Sequence, residues 1–499
     1  MKYSLPFFAL IFFAGCASVQ TVKEPSTPTE KLQTTLSQMF NDSNFVNAHW
    51  GVLIKSLRTG ETLYAQNEKK MFMPASNMKL FATASVLSAL SPDFQYRTVL
   101  TTNGTISNGV LNGNIIMHGS GDPSIATRFT DSNATKVFEQ WADSLKAKGI
   151  TSISGNLIGD DNCFDEENYG EGWSADYETD YYAAQISGIS YNDNCIDVTL
   201  TADSVAGNPC VIALSPKTQY VIFINKTKTV PQDSGRRIWF SRKRGTNIVT
   251  IEGTLPQNGK EWIESVTVDN PTLYALTVMK EVFISKGISV NGNVVDIDDL
   301  QSVPDTSNSI QLASYLSPSL SEIAAATNKP SQNLYAEQLF RTIGFQKLGI
   351  GSMEKSKQFI YPTLSSWGVD TVRLRASDAS GLSRLDLITP SDIVSILTGM
   401  YNGPYRTSFY ESLPIAGVDG SIKGRMKGTK AEGNVHAKTG FIGYVRSLSG
   451  YVTSSDGEPI VFCMIANNYT VPTRLAEKIQ NDVCVMLAEF QRTMNTSLN

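Results

Sequence analysis

Three small groups of residues carry the chemistry this chain offers. The first is Ser76 with Lys79, in MFMPASNMKL. On a helix, residues i and i+3 share a face, so the hydroxyl and the amine can meet. Free backbone N–H groups at a helix start favour developing negative charge. Lys79 can take the serine proton only if its pKa falls, through burial or a neighbouring positive charge. The second group is Ser331-Gln332-Asn333, which opens an apolar-periodic helix in KPSQNLYAEQLF. A serine there can relay a proton, and the Asn333 amide can bind a substrate carbonyl or the lysine. The third is Lys438-Thr439-Gly440, in HAKTGFIGYV. Lys438 can hold a carboxylate, and Gly440 lets a ligand approach the strand edge. Each group alone has an ordinary alternative: a serine near a helix start beside a surface lysine, a Ser-x-Asn cap, and an unremarkable strand segment.

Other chemistries find less support. The chain has three histidines, His49, His118 and His436, and no H-E-x-x-H, G-x-S-x-G elbow or P-loop. His49 reads as a strand residue and His118 lies beside a glycine turn, so a Ser-His-Asp triad has no recognisable frame. Cys163, Cys195, Cys210, Cys463 and Cys484 match no zinc spacing, and no metal or cofactor is expected. Cys195 and Cys210 read as facing across a hairpin, and Cys463 as meeting Cys484 on the last helix; buried free thiols are the alternative. The net charge of -5, with no basic stripe in the sequence, argues against a nucleic-acid partner.

The elements that must position these groups follow from pattern. Residues 1–16, MKYSLPFFALIFFAGC, read as an export signal, since the apolar run is short for a membrane span. FAGC resembles a bacterial lipoprotein box with Cys16 as the lipidated residue, although Phe13 stands where Leu is usual. An ordinary signal peptide is the other reading, and both place the chain in the periplasm or cell envelope. Residues 17–29 read as a tether. A helix over Thr29–Met39, a hairpin over HWGVLIKSL and ETLYAQ, and a helix over Ser76–Leu90 follow. Residues 96–304 alternate short β segments with Gly/Asn/Asp turns around one helix at Ala134–Lys148, so they read as a mostly β insert of two subdomains. Helices return at Pro271–Lys286, SPSLSEIAAATNK and NLYAEQLFRTIGFQKLG. Two strands in VRSLSGYVTSSDGEPIVFCMIANN and a helix over Leu475–Met494 close the chain. Residues 30–95 and 305–499 together have the size of one domain.

The order S-x-x-K, S-x-N, K-T-G, on helix start, helix start and strand, is the constellation of the penicillin-recognising serine enzymes. Within them the chain resembles the class C low-molecular-mass penicillin-binding proteins, the D-alanyl-D-alanine carboxypeptidases and endopeptidases of the peptidase S13 family. PASNMKL and PSQNLYAE are similar to that group's first and second motifs. DASGLSRLDLITP resembles its D-G-S-G-L-S-R segment, with Ala379 for Gly. LPIAGVDGSIKGRM resembles its L-P-x-A-G-x-D-G-T-L segment, with Ser421 for Thr. IGDDNCFD, GEGW and Tyr181-Tyr182 resemble its G-D-D-S-x-F-D and G-W region. The long insert between the first two motifs is itself a mark of the group.

The resemblance implies a mixed α/β fold, an antiparallel sheet flanked by helices, interrupted by the β-rich insert. It implies hydrolysis of peptidoglycan stem peptides through a Ser76 acyl-enzyme, with β-lactams as inhibitors. Lys79 would be the base, kept neutral by burial and nearby Lys438. Ser331 would pass a proton to the leaving amine, Asn333 orient the substrate, and Lys438 with Thr439 hold the terminal carboxylate. Gly440 would admit the ligand to the strand edge. The N–H of Phe441, where Thr or Ser is usual, would join that of Ser76 in an oxyanion hole. Asp160, Asp161 and Phe164, with Arg384, would form a stem-peptide pocket. Gln332, where Asp is common, is expected to point away from the reaction. A β-lactamase or esterase on the same fold, and a non-catalytic cell-wall-binding protein, are the competing readings.

Overall fold

A strand covered on both faces reads as a continuous apolar run, and PIVFCMIAN is one. From Ile460 to Asn467 every residue is buried. In the computed structural model, which describes residues 27–302 and 304–492, this strand (Pro459–Asn467) is the centre of a five-stranded antiparallel sheet. The order is His436–Ile442, Val445–Thr453, Pro459–Asn467, His49–Ser56, Thr62–Gln66. Alternate side chains serve opposite layers. Val461, Cys463 and Ile465 join the core around the helix Met78–Leu90. Ile460, Phe462 and Met464 join a second core that includes residues of the terminal helices Pro28–Phe40 and Thr473–Glu489. The signal-peptide reading and Cys16 lie outside the described residues, as does most of the tether.

The helix Met78–Leu90 is buried at every residue from Met78 to Leu87. An all-round buried helix is held by its neighbours rather than by one apolar stripe. Its main partner is the helix Asn333–Leu348, against which Phe81 sets its ring 4.9 Å from that of Phe340. A 3₁₀ turn, Ala75–Asn77, precedes it. Ser76 therefore sits in this turn, two residues before the α-helix proper, which starts later than the Ser76 expected from sequence. The helices Met353–Ser366 and Pro390–Asn402 have no counterpart in the sequence reading. The first carries Pro362 in its interior, which argues locally against a helix.

Residues 97–316 carry four further sheets, with the helices Lys136–Ala147 and Pro271–Ser285 packed among them. One has the order Val294–Asp296, Leu157–Asp160, Ile115–His118, Arg97–Thr102, Ile310–Leu316. Its last strand lies beyond the boundary read at 304/305, yet it pairs with Arg97–Thr102. Loop length hides this pairing, because strand partners are set by tertiary contact. Both disulfide readings are corrected. All five described cysteines are free and buried. Val211 lies opposite Thr201, which puts Cys210 at the far end of the strand pair from Cys195. Cys463 and Cys484 belong to the cores on opposite faces of the central sheet.

Truncating Phe340 removes the ring that seats the Met78–Leu90 helix. Phe340→Ala is expected to cost about 3–5 kcal/mol, read as a lower urea midpoint with an unchanged slope.

Candidate active site

The turn that presents Ser76 is clamped by three hydrogen bonds to the strands His436–Ile442 and Val445–Thr453. Ser447 Oγ donates to the Pro74 carbonyl (2.7 Å), the Asn77 amide donates to the Lys438 carbonyl (2.9 Å), and Ser449 Oγ donates to Asn77 Oδ1 (2.6 Å). Two glycines allow the close approach. A Cβ on Gly440 would lie 2.7 Å from the Pro74 oxygen and 3.0 Å from the Ser76 nitrogen. A Cβ on Gly381, whose φ is +82°, would lie 1.8 Å from the Ala75 oxygen. Ala75 itself adopts a φ of 48°. Such a left-handed non-glycine residue persists only where surrounding contacts enforce it, and this clamp does so.

Lys79 is fully buried directly behind the serine. Its Nζ lies 3.0 Å from Ser76 Oγ, and it donates to Asn333 Oδ1 (2.6 Å) and to the Ser380 carbonyl (2.7 Å). Burial lowers its pKa to about 7, while the carboxylates of Asp378, Glu337 and Asp386 pull the other way. Of the two expected causes, burial keeps the amine near neutrality, and Lys438 is not among the charges that act on it. The repulsion registers on Lys438 instead, whose pKa is lowered well below the usual lysine value, first by burial and then by Lys79. Lys438 Nζ donates to Ser331 Oγ (2.8 Å) and to the Thr439 carbonyl (2.9 Å). Ser331 is a second left-handed residue, with φ 67°. The Asn333 amide donates to the Tyr182 carbonyl (2.7 Å).

Ser76, Ser331 and Asn333 line a cleft of about 360 Å³ with Gly381, Leu382, Phe441, Ile442 and Gly443. Pro330 and a wall of Tyr177, Tyr181 and Tyr182, three edge-on tyrosines from the 97–316 region, complete it. Phe441 is 54% exposed at the mouth. Thr439 Oγ1 lies 2.7 Å from Ser421 Oγ. Gln332 turns to Asp193 (3.1 Å).

The expected stem-peptide residues do not gather here. Asp160 lies 2.9 Å from His118 Nδ1. Asp161 accepts from Thr272 and Ser187 and lines a separate acidic pocket with Asp296 and Asp298. Phe164 is buried against Gly121 and Gly351. Arg384 is exposed and reaches the cleft edge only through a bond to the Gly443 carbonyl (2.9 Å). Phe164 lies in the turn after the strand Leu157–Asp160, where a single bridge to Gly351 sets its ring inward, which its position in a turn-rich motif did not reveal.

Glu337 escaped the sequence reading. It is fully buried, and one oxygen accepts from the N–H groups of Ala379 and Ser380 (both 2.9 Å) while the other accepts from Arg341 (3.0 Å). It thereby holds the carbonyl that holds Lys79. Burial, with the charge of Asp378, pushes its pKa up to about 7. Only its spacing from Asn333, i to i+4 on one helix face, hinted at a role. Ser380 and Ser421 lie in segments the sequence singled out, but their bonds to Lys79 and Thr439 were not legible.

A hydroxyl at a clamped turn, a buried amine of lowered pKa beside it, and a second serine on a second lysine make up the arrangement of a penicillin-recognising serine enzyme. The model of the D-Ala-D-Ala carboxypeptidase 3 (S13) family matches residues 32–490, and the chain belongs to that family. A D-alanyl-D-alanine carboxypeptidase of an Actinomadura species is 32% identical over 472 residues, which span 92% of this chain and 85% of that protein. A Haemophilus influenzae D-alanyl-D-alanine carboxypeptidase is 28% identical, spanning 90% of each. The crystal structure of penicillin binding protein 4 from Haemophilus influenzae superposes with a TM-score of 0.78 at 25% identity, covering 92% of this chain and 99% of that one. The protein is a serine-type hydrolase.

Removing the Glu337 charge removes one of the fields that raise the Lys79 pKa. Glu337→Gln is therefore expected to move the acid limb of β-lactam acylation to lower pH, by roughly a few tenths of a unit, because a carboxyl of pKa about 7 is only partly charged there. Stopped-flow acylation across pH 5–9 checks it, and an unmoved limb contradicts the assignment.

Proposed function

We propose that the chain is a D-Ala-D-Ala carboxypeptidase and DD-endopeptidase that cleaves peptidoglycan stem peptides through an acyl-enzyme on Ser76. The 3.0 Å approach of the buried Lys79 amine to Ser76 Oγ carries this reading. A fully buried ammonium is costly, so near pH 7 a substantial fraction of Lys79 is the free amine that can accept a proton. Lys79 takes the Ser76 proton as Oγ attacks the penultimate D-Ala carbonyl. The N–H groups of Ser76 and Phe441 receive the oxyanion, a role any non-proline residue can fill at 441. Lys438 and Thr439 bind the terminal carboxylate, with Gly440 keeping the strand edge open. Asn333 orients the substrate amide, and Ser331, on Lys438 Nζ, hands a proton to the leaving amine. Water then hydrolyses the ester. A β-lactam follows the same first step and leaves slowly.

The family acts on cell-wall peptides, so the chain works outside the cytoplasm. No helix among the described residues is long and apolar enough to cross a membrane. We assign Cys16 as the lipid-attachment site on the strength of FAGC. Cys16→Ala is expected to move the protein from the membrane to the soluble fraction, and an unchanged distribution refutes the assignment.

Ser76→Ala is expected to abolish labelling by fluorescent penicillin and to lower D-Ala release from a pentapeptide by about a thousandfold or more. Rapid nitrocefin turnover by the intact enzyme in place of a stable adduct would mark a β-lactamase. Labelling of neither form would mark a binding protein. The acylation rate should rise about tenfold per pH unit below pH 7 and level off above it, because the neutral amine is the active form.

A further inference from the structure

The strand Ile248–Pro256 pairs in parallel with Ile222–Val230 and antiparallel with Arg237–Arg242. One face of this three-stranded sheet is core, with Thr227, Val249, Ile251 and Ile238 buried. The other face is open. Across it run two registered rows, Lys226–Glu252–Trp239 and Lys228–Thr254–Arg237. Trp239 is 59% exposed, and Ile222 and Ile224 continue the face at its edge. Lys228, Arg237 and Lys243 carry no ion pair among the described residues, while Lys226 is bonded to Glu252 (2.9 Å). Residues 222–256 hold seven Lys or Arg against two Asp or Glu, in a chain of net charge -5. The linear sequence already concentrates basic residues here, in Arg236-Arg237 and Arg242-Lys243-Arg244, a local excess the sequence reading passed over; strand pairing then sets Lys228 in one row with Arg237 across Thr254.

We propose that this face is a docking surface for the peptidoglycan polymer, separate from the cleft at Ser76. The inference rests on the peptidoglycan reading above. An exposed apolar patch rimmed by polar groups marks an interaction site. A flat indole offers its face to the apolar side of a pyranose ring, and its polar edge tolerates water. Around Trp239, the Glu252 carboxylate and the hydroxyls of Ser241, Thr250 and Thr254 are suited to sugar hydroxyls. Lys228, Arg237 and Lys243 complement the free carboxylates of stem peptides along a glycan strand. Glu252 in the middle of the face, facing Trp239, opposes insertion into an anionic lipid surface. A second foothold on the polymer raises the effective concentration of stem peptides at the cleft without altering the chemistry there.

Co-sedimentation with purified insoluble peptidoglycan tests this, using Ser76→Ala protein so that cleavage plays no part. Trp239→Ala and the pair Lys228→Glu/Arg237→Glu should each lower the bound fraction at least about threefold, and the wild-type face should lose binding as salt rises from about 0.05 to about 0.3 M. Trp239→Tyr should retain binding. With Ser76 intact, the same variants should label with fluorescent penicillin and hydrolyse soluble pentapeptide as the parent does, but release less product from whole peptidoglycan. Sedimentation unchanged in both loss variants overturns the proposal. So does binding to phosphatidylglycerol vesicles that the variants abolish while peptidoglycan binding stays constant. Failure of penicillin labelling would strike the Ser76 mechanism alone, leaving the sedimentation result to stand by itself.

Discussion

The burial of one lysine amine organises the centre of this protein. Lys79 is held between Ser76, Asn333 and the Ser380 carbonyl, on a helix with no exposed face over its first ten residues. Each partner comes from a different part of the chain: the turn before the helix, the start of a second helix, and the loop that follows Asp378. An amine in that position needs acceptors for its protons and shelter from water at once. The serine, the amide and the carbonyl supply the first, and the burial of the helix on every side supplies the second.

Behind the amine lies a buried acidic shell. Asp378 accepts from the N–H groups of Gly381 and Ser383, from Ser380 Oγ and from the Trp173 indole. Glu337 and Asp386 accept from neighbouring backbone N–H groups in the same loop. Buried carboxylates of this kind are sustained by hydrogen bonding, and they fix the backbone that binds them. The loop therefore carries Gly381 to the Ala75 carbonyl and Ser380 to Lys79 with little freedom. Its charge also tempers the fall of the Lys79 pKa, so that the amine stays near 7 rather than losing its proton at lower pH. Trp173 ties the 97–316 region to this shell, and the neighbouring tyrosines form one wall of the cleft. The region long in sequence between the first two motifs is thus a structural part of the site.

Much of the frame was legible because it rests on local pattern. The continuous apolar run of Pro459–Asn467, the Gly turn after Leu57 and the periodicity after Asn333 each announce an element. What failed had a non-local cause. The helix Met353–Ser366 holds through tertiary packing despite Pro362. The parallel partners of Leu157–Asp160 are Ile115–His118 and Val294–Asp296, far from it on either side in sequence. The two suggested disulfides foundered on strand register and on the two-sidedness of the central sheet.

The sequence by itself determined which groups could react: Ser76 and Lys79 one helical turn apart, Ser331 and Asn333 at a second helix start, Lys438 before a glycine on a strand. Residue type and short spacing suffice for that, because helix and strand periodicity place near neighbours predictably. The tertiary structure decided the rest. It left burial without Lys438 as the cause of Lys79's lowered pKa, it drew in Ser380, Glu337 and Ser421, and it kept Asp160, Asp161 and Phe164 out of the cleft. Desolvation and backbone carbonyls have no sequence signature. They exist only once distant segments close around the same few atoms.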